Sequence, residues 1–161
     1  MRTKYIRKNY SPEVCAYLAG ILDGEGCIHV GCFRKITSYR KSPHFQTYIN
    51  VSNTSEVLID WLHNTFGGAK RKYTPRQTPL NSRKPVYLWC VWSEQLEHIC
   101  ELVLPYVVIK KREVELMLEM RATFKGLRWR KKACGILPVR EEILARREEI
   151  LQELKSLHQR K

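Results

Sequence analysis

Leu18-Ala19-Gly20-Ile21-Leu22-Asp23-Gly24-Glu25-Gly26 reads as the end of a helix that carries a stripe with almost no side chains. The helix begins at Ser11-Pro12-Glu13, where a hydroxyl can accept an orphan amide, proline misses none, and an acid meets the positive helix end. We expect it to run to about Asp23, with Gly24 and Gly26 ending it. Ala16, Gly20 and Gly24 recur every fourth residue, so they share one face, and another backbone can come close there. Glycine inside a helix costs about 1 kcal/mol against alanine, so the stripe points to tight helix–helix contact. Spacing alone does not say whether the partner lies in the same chain or in a second copy. The end of the helix is also acidic. Its last carbonyls carry about half a negative charge, and Asp23 and Glu25 add to it, so a cation belongs there. Mg²⁺ accepts carboxylate, carbonyl, water and phosphate oxygens; a nearby lysine is the alternative. If the stripe packs on its symmetry mate, two Glu25 side chains meet near a two-fold axis, placed to act on two strands.

Downstream, the pattern alternates with period two over Ile28 to Ile36 and Phe45 to Val51, with a turn near Lys41-Ser42-Pro43: a hairpin. Thr54 or Ser55 caps a helix with Leu58, Trp61, Leu62 and Phe66 on one face, stopped by Gly67-Gly68. A second hairpin follows, Ala69 to Thr74 and Pro85 to Trp92, around a proline-rich loop from Thr74 to Asn81. Ser93 opens a third helix (Leu96, Ile99, Cys100, Val103), Pro105 interrupts, and a fourth helix runs from about Lys110 to Phe124. After the basic link Arg128 to Lys132, Pro138 starts a last helix with Ile143, Leu144, Ile150, Leu151 and Leu154 on one face and a Glu142–Arg146 pair, as a docking element should. The fold class is therefore α+β, an αββαββα order with two antiparallel hairpins plus a C-terminal helix. Residues 1–126 form the core, and 127–161 a basic link and helical extension of the same domain.

The chain has 161 residues, 43% of them hydrophobic and 28% charged, which suits one folded domain and not a disordered tail. Its net charge is +13. From His29 to Val86 ten Lys or Arg face two acids, Glu56 and Asp60. Such a surface repels itself unless a polyanion lies on it, which favours nucleic acid over a merely solvated basic face. The charges do not follow an amphipathic helix, which disfavours a membrane surface. No apolar stretch approaches the ~18–20 residues of a membrane helix, and the first ten residues lack a signal core; we expect a soluble, intracellular protein. The six cysteines form no CxxC pair, so buried free thiols are favoured over zinc or a disulfide framework.

The run from Leu18 to Gly26 resembles the motif of the LAGLIDADG homing endonucleases, with glycine third and an acid eighth. The surrounding order agrees with that family over roughly residues 11–125, and the single copy of the motif resembles its homodimeric branch, found in chloroplast and mitochondrial introns. The resemblance implies a site-specific DNA endonuclease: a homodimer on a long pseudo-palindromic site in double-stranded DNA, making a double-strand break across the minor groove with short 3′ overhangs. Mg²⁺ is the implied cofactor, with Mn²⁺ substituting, and the location is intracellular at DNA, in an organelle by resemblance. Glu25 resembles the metal-binding acid, where the family more often has Asp, and the Gly24 carbonyl a second ligand. Asn53 matches the polar residue that orders water, and Lys110 the lysine that supports the water network and the charge at the scissile phosphate. Lys111 and Arg112 match phosphate contacts. Ala16, Gly20 and Asp23 fall in the dimer interface.

The resemblance implies that the hairpins join in one antiparallel four-stranded sheet, which lies in the major groove as a saddle. Period two then assigns His29, Gly31, Phe33 and Lys35 to the DNA-facing side of the first strand. Lys70, Lys72, Thr74 and Arg76 take that side on the third strand, and Tyr87, Trp89 and Val91 on the fourth. Ile28, Val30, Leu88, Cys90 and Trp92 would then meet the helices. Arg40, Lys41, Arg83 and Lys84 sit near loops and suit phosphates. The rival readings are a non-cutting nucleic-acid binder on the same scaffold, either an intron maturase that holds RNA or a DNA-binding regulator, and a structural dimerisation module.

Overall fold

The first helix, α1 (Pro12–Glu25), starts as the sequence dictates, with the Ser11 hydroxyl accepting from the Val14 amide at 3.5 Å. It ends later than expected. Gly24 stays helical, and the chain leaves at Gly26, whose amide donates to the Leu22 carbonyl. A β-carbon on Gly26 would lie 2.7 Å from that oxygen, so the close approach, and not a special dihedral, selects glycine. The structure, a computed structural model, describes residues 5–35, 42–74, 84–125, 131–132, 135–136 and 139–159. Ile36, Arg40, Lys41, Arg76, Arg83, Cys134 and Pro138 lie outside them.

The order continues as β1 (Gly26–Phe33), β2 (His44–Asn53), α2 (Glu56–Phe66), β3 (Ala69–Tyr73), β4 (Val86–Trp92), α3 (Ser93–Val103) and α4 (Lys111–Ala122), the expected αββαββα with its last helix broken in two. Two short paired strands in the basic link, β5 (Lys131–Lys132) and β6 (Gly135–Ile136), were not expected from the sequence; α5 (Glu141–Gln159) follows. The four long strands form one antiparallel sheet in the order β1-β2-β4-β3. Gly67 (φ 77°) and Gly68 (φ 88°) make the turn from α2 into β3 in backbone regions that side chains disfavour.

All helices that touch the sheet pack on one side or along the β1 edge. Leu18 and Leu22 of α1, Ile59 and Leu62 of α2, Leu96 and Ile99 of α3 and Met117 of α4 are fully buried against Ile28, Ile49, Val51, Trp89 and Val91. The register fixes which residues accompany them on that side. Trp89 pairs with Val51 and Lys70, Tyr87 with Asn53 and Lys72, and Val91 with Ile49. Directly paired residues share a face, so the assignment made for the fourth strand is inverted. Tyr87, Trp89 and Val91 face the helices, while Leu88, Cys90 and Trp92 face out. The strand is apolar at both alternations, so its sequence could not choose, and one slip exchanged the faces. Trp89 is 0% exposed and its indole N–H donates to the Gly67 carbonyl at 2.6 Å. Trp89→Ala is expected to cost about 3–5 kcal/mol, seen as a lower denaturant midpoint without any DNA present; a variant of unchanged stability would contradict this placement.

The extension is a docking helix, as its pattern implied. Ile150, Leu151 and Leu154 of α5 are buried, and Arg147 is 3% exposed, stacked 4.1 Å from the Phe124 ring and donating to Thr123. Arg146 does not pair with Glu142; it bonds Glu149 at 2.9 Å and reaches across to Glu119 of α4. Among the described cysteines none forms a disulfide, and Cys15 and Cys100 are buried as expected. Cys27 is exposed, and Cys32 and Cys90 are half-buried.

Candidate functional site

The corner at the end of α1 is built by two reciprocal sets of bonds. In the connection between α3 and α4 the amides of Leu104, Tyr106 and Val107 bond back to carbonyls of α3, and the Asp23 carboxylate takes two of those that follow, Val108 at 2.8 Å and Lys110 at 2.9 Å. These bonds to amides and the Lys110 charge hold its pKa below the usual value, although burial pushes the other way more strongly than any one of them. In return, the Lys110 ammonium donates to the carbonyls of Leu22 and Asp23, each at 2.6 Å. The cation called for at the negative helix end is therefore supplied, at these two carbonyls, by Lys110, which is only 8% exposed. The Asp23 carboxylate, expected in the dimer interface, is committed to these bonds inside the chain.

Glu25, the last residue of α1, is exposed, and so is Gly24 beside it. Gly26 pairs with Val51, so Asn53, two residues on, ends β2 at the same end of the sheet as Glu25. Its side-chain oxygen accepts from the Ser55 amide at 2.8 Å, a turn bond that leads into α2. Its NH₂ group and the second lone pair of that oxygen are the groups that could order water. Glu25, Asn53 and Lys110 thus gather at one end of the sheet, Lys110 and Asn53 through structural bonds of their own.

The stripe is open. Ala16, Gly20 and Gly24 are exposed, and a β-carbon on Gly20 or Gly24 would meet nothing within 4 Å. Tight packing within the chain, one of the two alternatives the spacing left, is therefore not what the stripe serves.

The second face of the sheet carries no buried residue among those described. Its rows follow from the register: Phe33 beside His44, Gly31 beside Gln46, His29 beside Tyr48 and Trp92, Cys27 beside Asn50 and Cys90, and Ser52 beside Leu88 and Arg71. His29 stacks on Tyr48 at 4.6 Å. Burial, then the neighbouring His158, lowers the His29 pKa, so at neutral pH it offers a hydrogen-bonding ring and not a charge. His29 and Phe33 stand where expected, and exposed Lys35 follows the end of β1. Lys70 and Lys72 do not face out. They stand on the helix side over the Tyr87 ring, and Lys70 bonds Glu56 at 2.8 Å and also Asp60. Three successive bases gave no alternation to read, and the acids of α2 decide which ones turn inward. Arg112 is likewise withdrawn, held by Glu153 at 2.7 and 3.1 Å and close to Glu115 and Glu119. Lys111 beside it is exposed.

The outward residues that sequence reasoning missed are Gln46, Asn50 and Ser52 on the central strand and Arg71 on β3. The signal for the first three was legible: Phe45, Thr47, Ile49 and Val51 are buried and alternate with polar neighbours. Arg71→Ala should flatten the dependence of log affinity on log salt by about one unit, while Lys70→Ala leaves the slope in place. Filter binding at several salt concentrations measures both; equal slopes for the two variants would contradict the assigned faces.

No family model matches the sequence, and no curated protein matches it. Solved structures do match. The homing endonuclease I-CvuI, in complex with its target in the presence of 2 mM Ca, is 17% identical over 91% of this chain and 82% of that one, with a TM-score of 0.67. The archaeal intron-encoded homing endonuclease I-Vdi141I, complexed with DNA, is 13% identical over 90% and 84%, with a TM-score of 0.66. The I-LtrWI LAGLIDADG homing endonuclease, bound to target DNA, is 16% identical, and 95% of this chain covers 47% of it at a TM-score of 0.59. The chain has the LAGLIDADG homing endonuclease fold. In this fold α1 carries the resembling run, and the chain supplies one fold unit where I-LtrWI is about twice as long.

Proposed function

We propose that this chain is a site-specific DNA endonuclease, acting as a homodimer that makes a double-strand break in a long, nearly palindromic duplex by divalent-metal-dependent phosphodiester hydrolysis. The observation that carries the reading is the open stripe Ala16-Gly20-Gly24 running to an exposed Glu25, at one end of an uncovered sheet face. Two copies packed through this stripe set two acids side by side and extend two sheets into one surface. I-CvuI and I-Vdi141I, with DNA in their structures and similar in length to this chain, support it.

The donor set at the corner is hard oxygen, the Glu25 carboxylate and the Gly24 carbonyl, which suits Mg²⁺ or Mn²⁺ and not a soft ion. Among the described residues no three His, Cys, Asp or Glu side chains form a metal-binding group; in this reading a second copy, phosphate and water complete the coordination. A bound divalent cation supplies Lewis-acid stabilisation of charge on the phosphate. Lys110 holds the helix end that carries Glu25. Asn53 ends β2 beside it. His29, Phe33, Gln46, Asn50 and Arg71 face the major groove, where amide and guanidinium groups can read base edges. No protein nucleophile is needed. The protein works where its DNA is, inside the cell, with an organelle as the compartment suggested by the resemblance.

Incubating the protein with a randomised duplex library and Mg²⁺, then sequencing cut ends, tests this. Enrichment of one near-palindromic site, abolished by chelator, supports the reading. Tight, salt-sensitive binding without nicking in Mg²⁺ or Mn²⁺ would favour the maturase or regulator instead.

A further inference from the structure

Two observations converge on Asp23. Its carboxylate accepts from the amides of Val108 and Lys110, and the side chain of that same Lys110 returns to the carbonyls of Leu22 and Asp23. The two segments are joined at both ends by four bonds, every one with a charged partner, which are the stronger class. One segment leads to Glu25 two residues on. Val107 anchors the other in the core at 4% exposure, but Val108 and Ile109 beyond it are 82% and 67% accessible. What ties the stretch from Val108 to Lys110 to the end of α1 is therefore this clasp. Without the carboxylate, two amides lose their acceptor and the Lys110 backbone is released from the helix end.

We propose that Asp23 is a positioning residue of the cutting corner: it holds Lys110 on the last turn of α1 and so fixes the lysine and Glu25 relative to one another. The inference rests on the endonuclease reading for its consequence, though not for its geometry. Asp23 touches neither substrate nor metal in this role; it acts through Lys110. Misplacement of a catalytic group by about 1 Å can cost on the order of 100-fold in rate, while the sheet that binds DNA stays untouched.

The test uses the full-length protein with Asp23→Ala, Lys110→Ala, the double variant and Asp23→Asn. Hydrogen exchange of the Val108 and Lys110 amides is read first, without DNA, and should accelerate at least tenfold in Asp23→Ala. Single-turnover cleavage of a selected duplex should then fall about 10- to 100-fold, with DNA affinity within about threefold of the parent. The double variant should cut no more slowly than Lys110→Ala, because both changes break one device, and Asp23→Asn should recover part of the rate by accepting one amide. Unchanged exchange overturns the clasp. Multiplying losses in the double variant, or loss of the dimer together with cleavage, overturns the positioning role. A parent protein that cuts no duplex overturns the endonuclease reading and the consequence drawn from it, and the exchange result then decides the clasp alone.

Discussion

Glu25→Gln is expected to abolish strand cleavage while leaving DNA binding intact. The side chain is exposed at the last residue of α1, so its loss disturbs no packing, and the amide keeps the shape while removing the charge. A metal centre contributes several kcal/mol of charge stabilisation, which corresponds to a loss on the order of 1,000-fold in single-turnover rate. Affinity should hold or rise, because one negative charge beside phosphate is removed. Gel assays of cleavage and binding on the same duplex measure both. A variant that still cuts within about tenfold of the parent would remove Glu25 from the chemistry, whatever the fold.

The second large effect lies at Gly20. It occupies the middle of α1, exposed, with open space where a side chain would go. Within a monomer, replacing it should be harmless or mildly stabilising, since glycine costs about 1 kcal/mol in a helix interior. Gly20→Lys is therefore expected to leave a folded chain with an equal or higher melting temperature. At a two-fold contact the same change places two ammonium groups and two long side chains where backbones meet. The dimer should dissociate at concentrations at least 100-fold higher than the parent, and cleavage of both strands should disappear with it. Sedimentation and thermal melts separate these effects. Loss of folding would mean that the stripe packs inside the chain, and an undisturbed dimer would move the interface elsewhere.

Much of this was legible in the sequence, for reasons that particular residues make plain. Ser11 and Pro12 announced α1, and Ile28 and Val30 alternating with His29 and Phe33 announced β1 with its faces correctly assigned. The order of elements followed from such local signals. What local signals cannot carry is the choice between two apolar faces, as in Val86 to Trp92, where only pairing with β2 decides that Trp89 turns inward. Nor can they say which of several bases is spoken for. Lys70 is claimed by Glu56 and Asp60, and Arg112 by Glu153, through contacts made only in the fold. The same applies at the candidate site. The acidic end of α1 was readable as a place for a cation, and the family resemblance pointed to Lys110. That Asp23 would hold the segment bearing Lys110, 87 positions later, is a tertiary fact.

The claim on which the rest depends is that two chains meet on one duplex through α1. Cross-linking at position 20 tests it directly: Gly20→Cys, in a background where exposed Cys27 is replaced by serine, is oxidised on a bound duplex and resolved without reductant. Helices crossing at the stripe bring their backbones within the ~4.4–6.8 Å between α-carbons that a disulfide requires, so the account predicts rapid, near-complete conversion to a covalent dimer that remains on the DNA. A chain that binds the duplex and stays single through oxidation would contradict it.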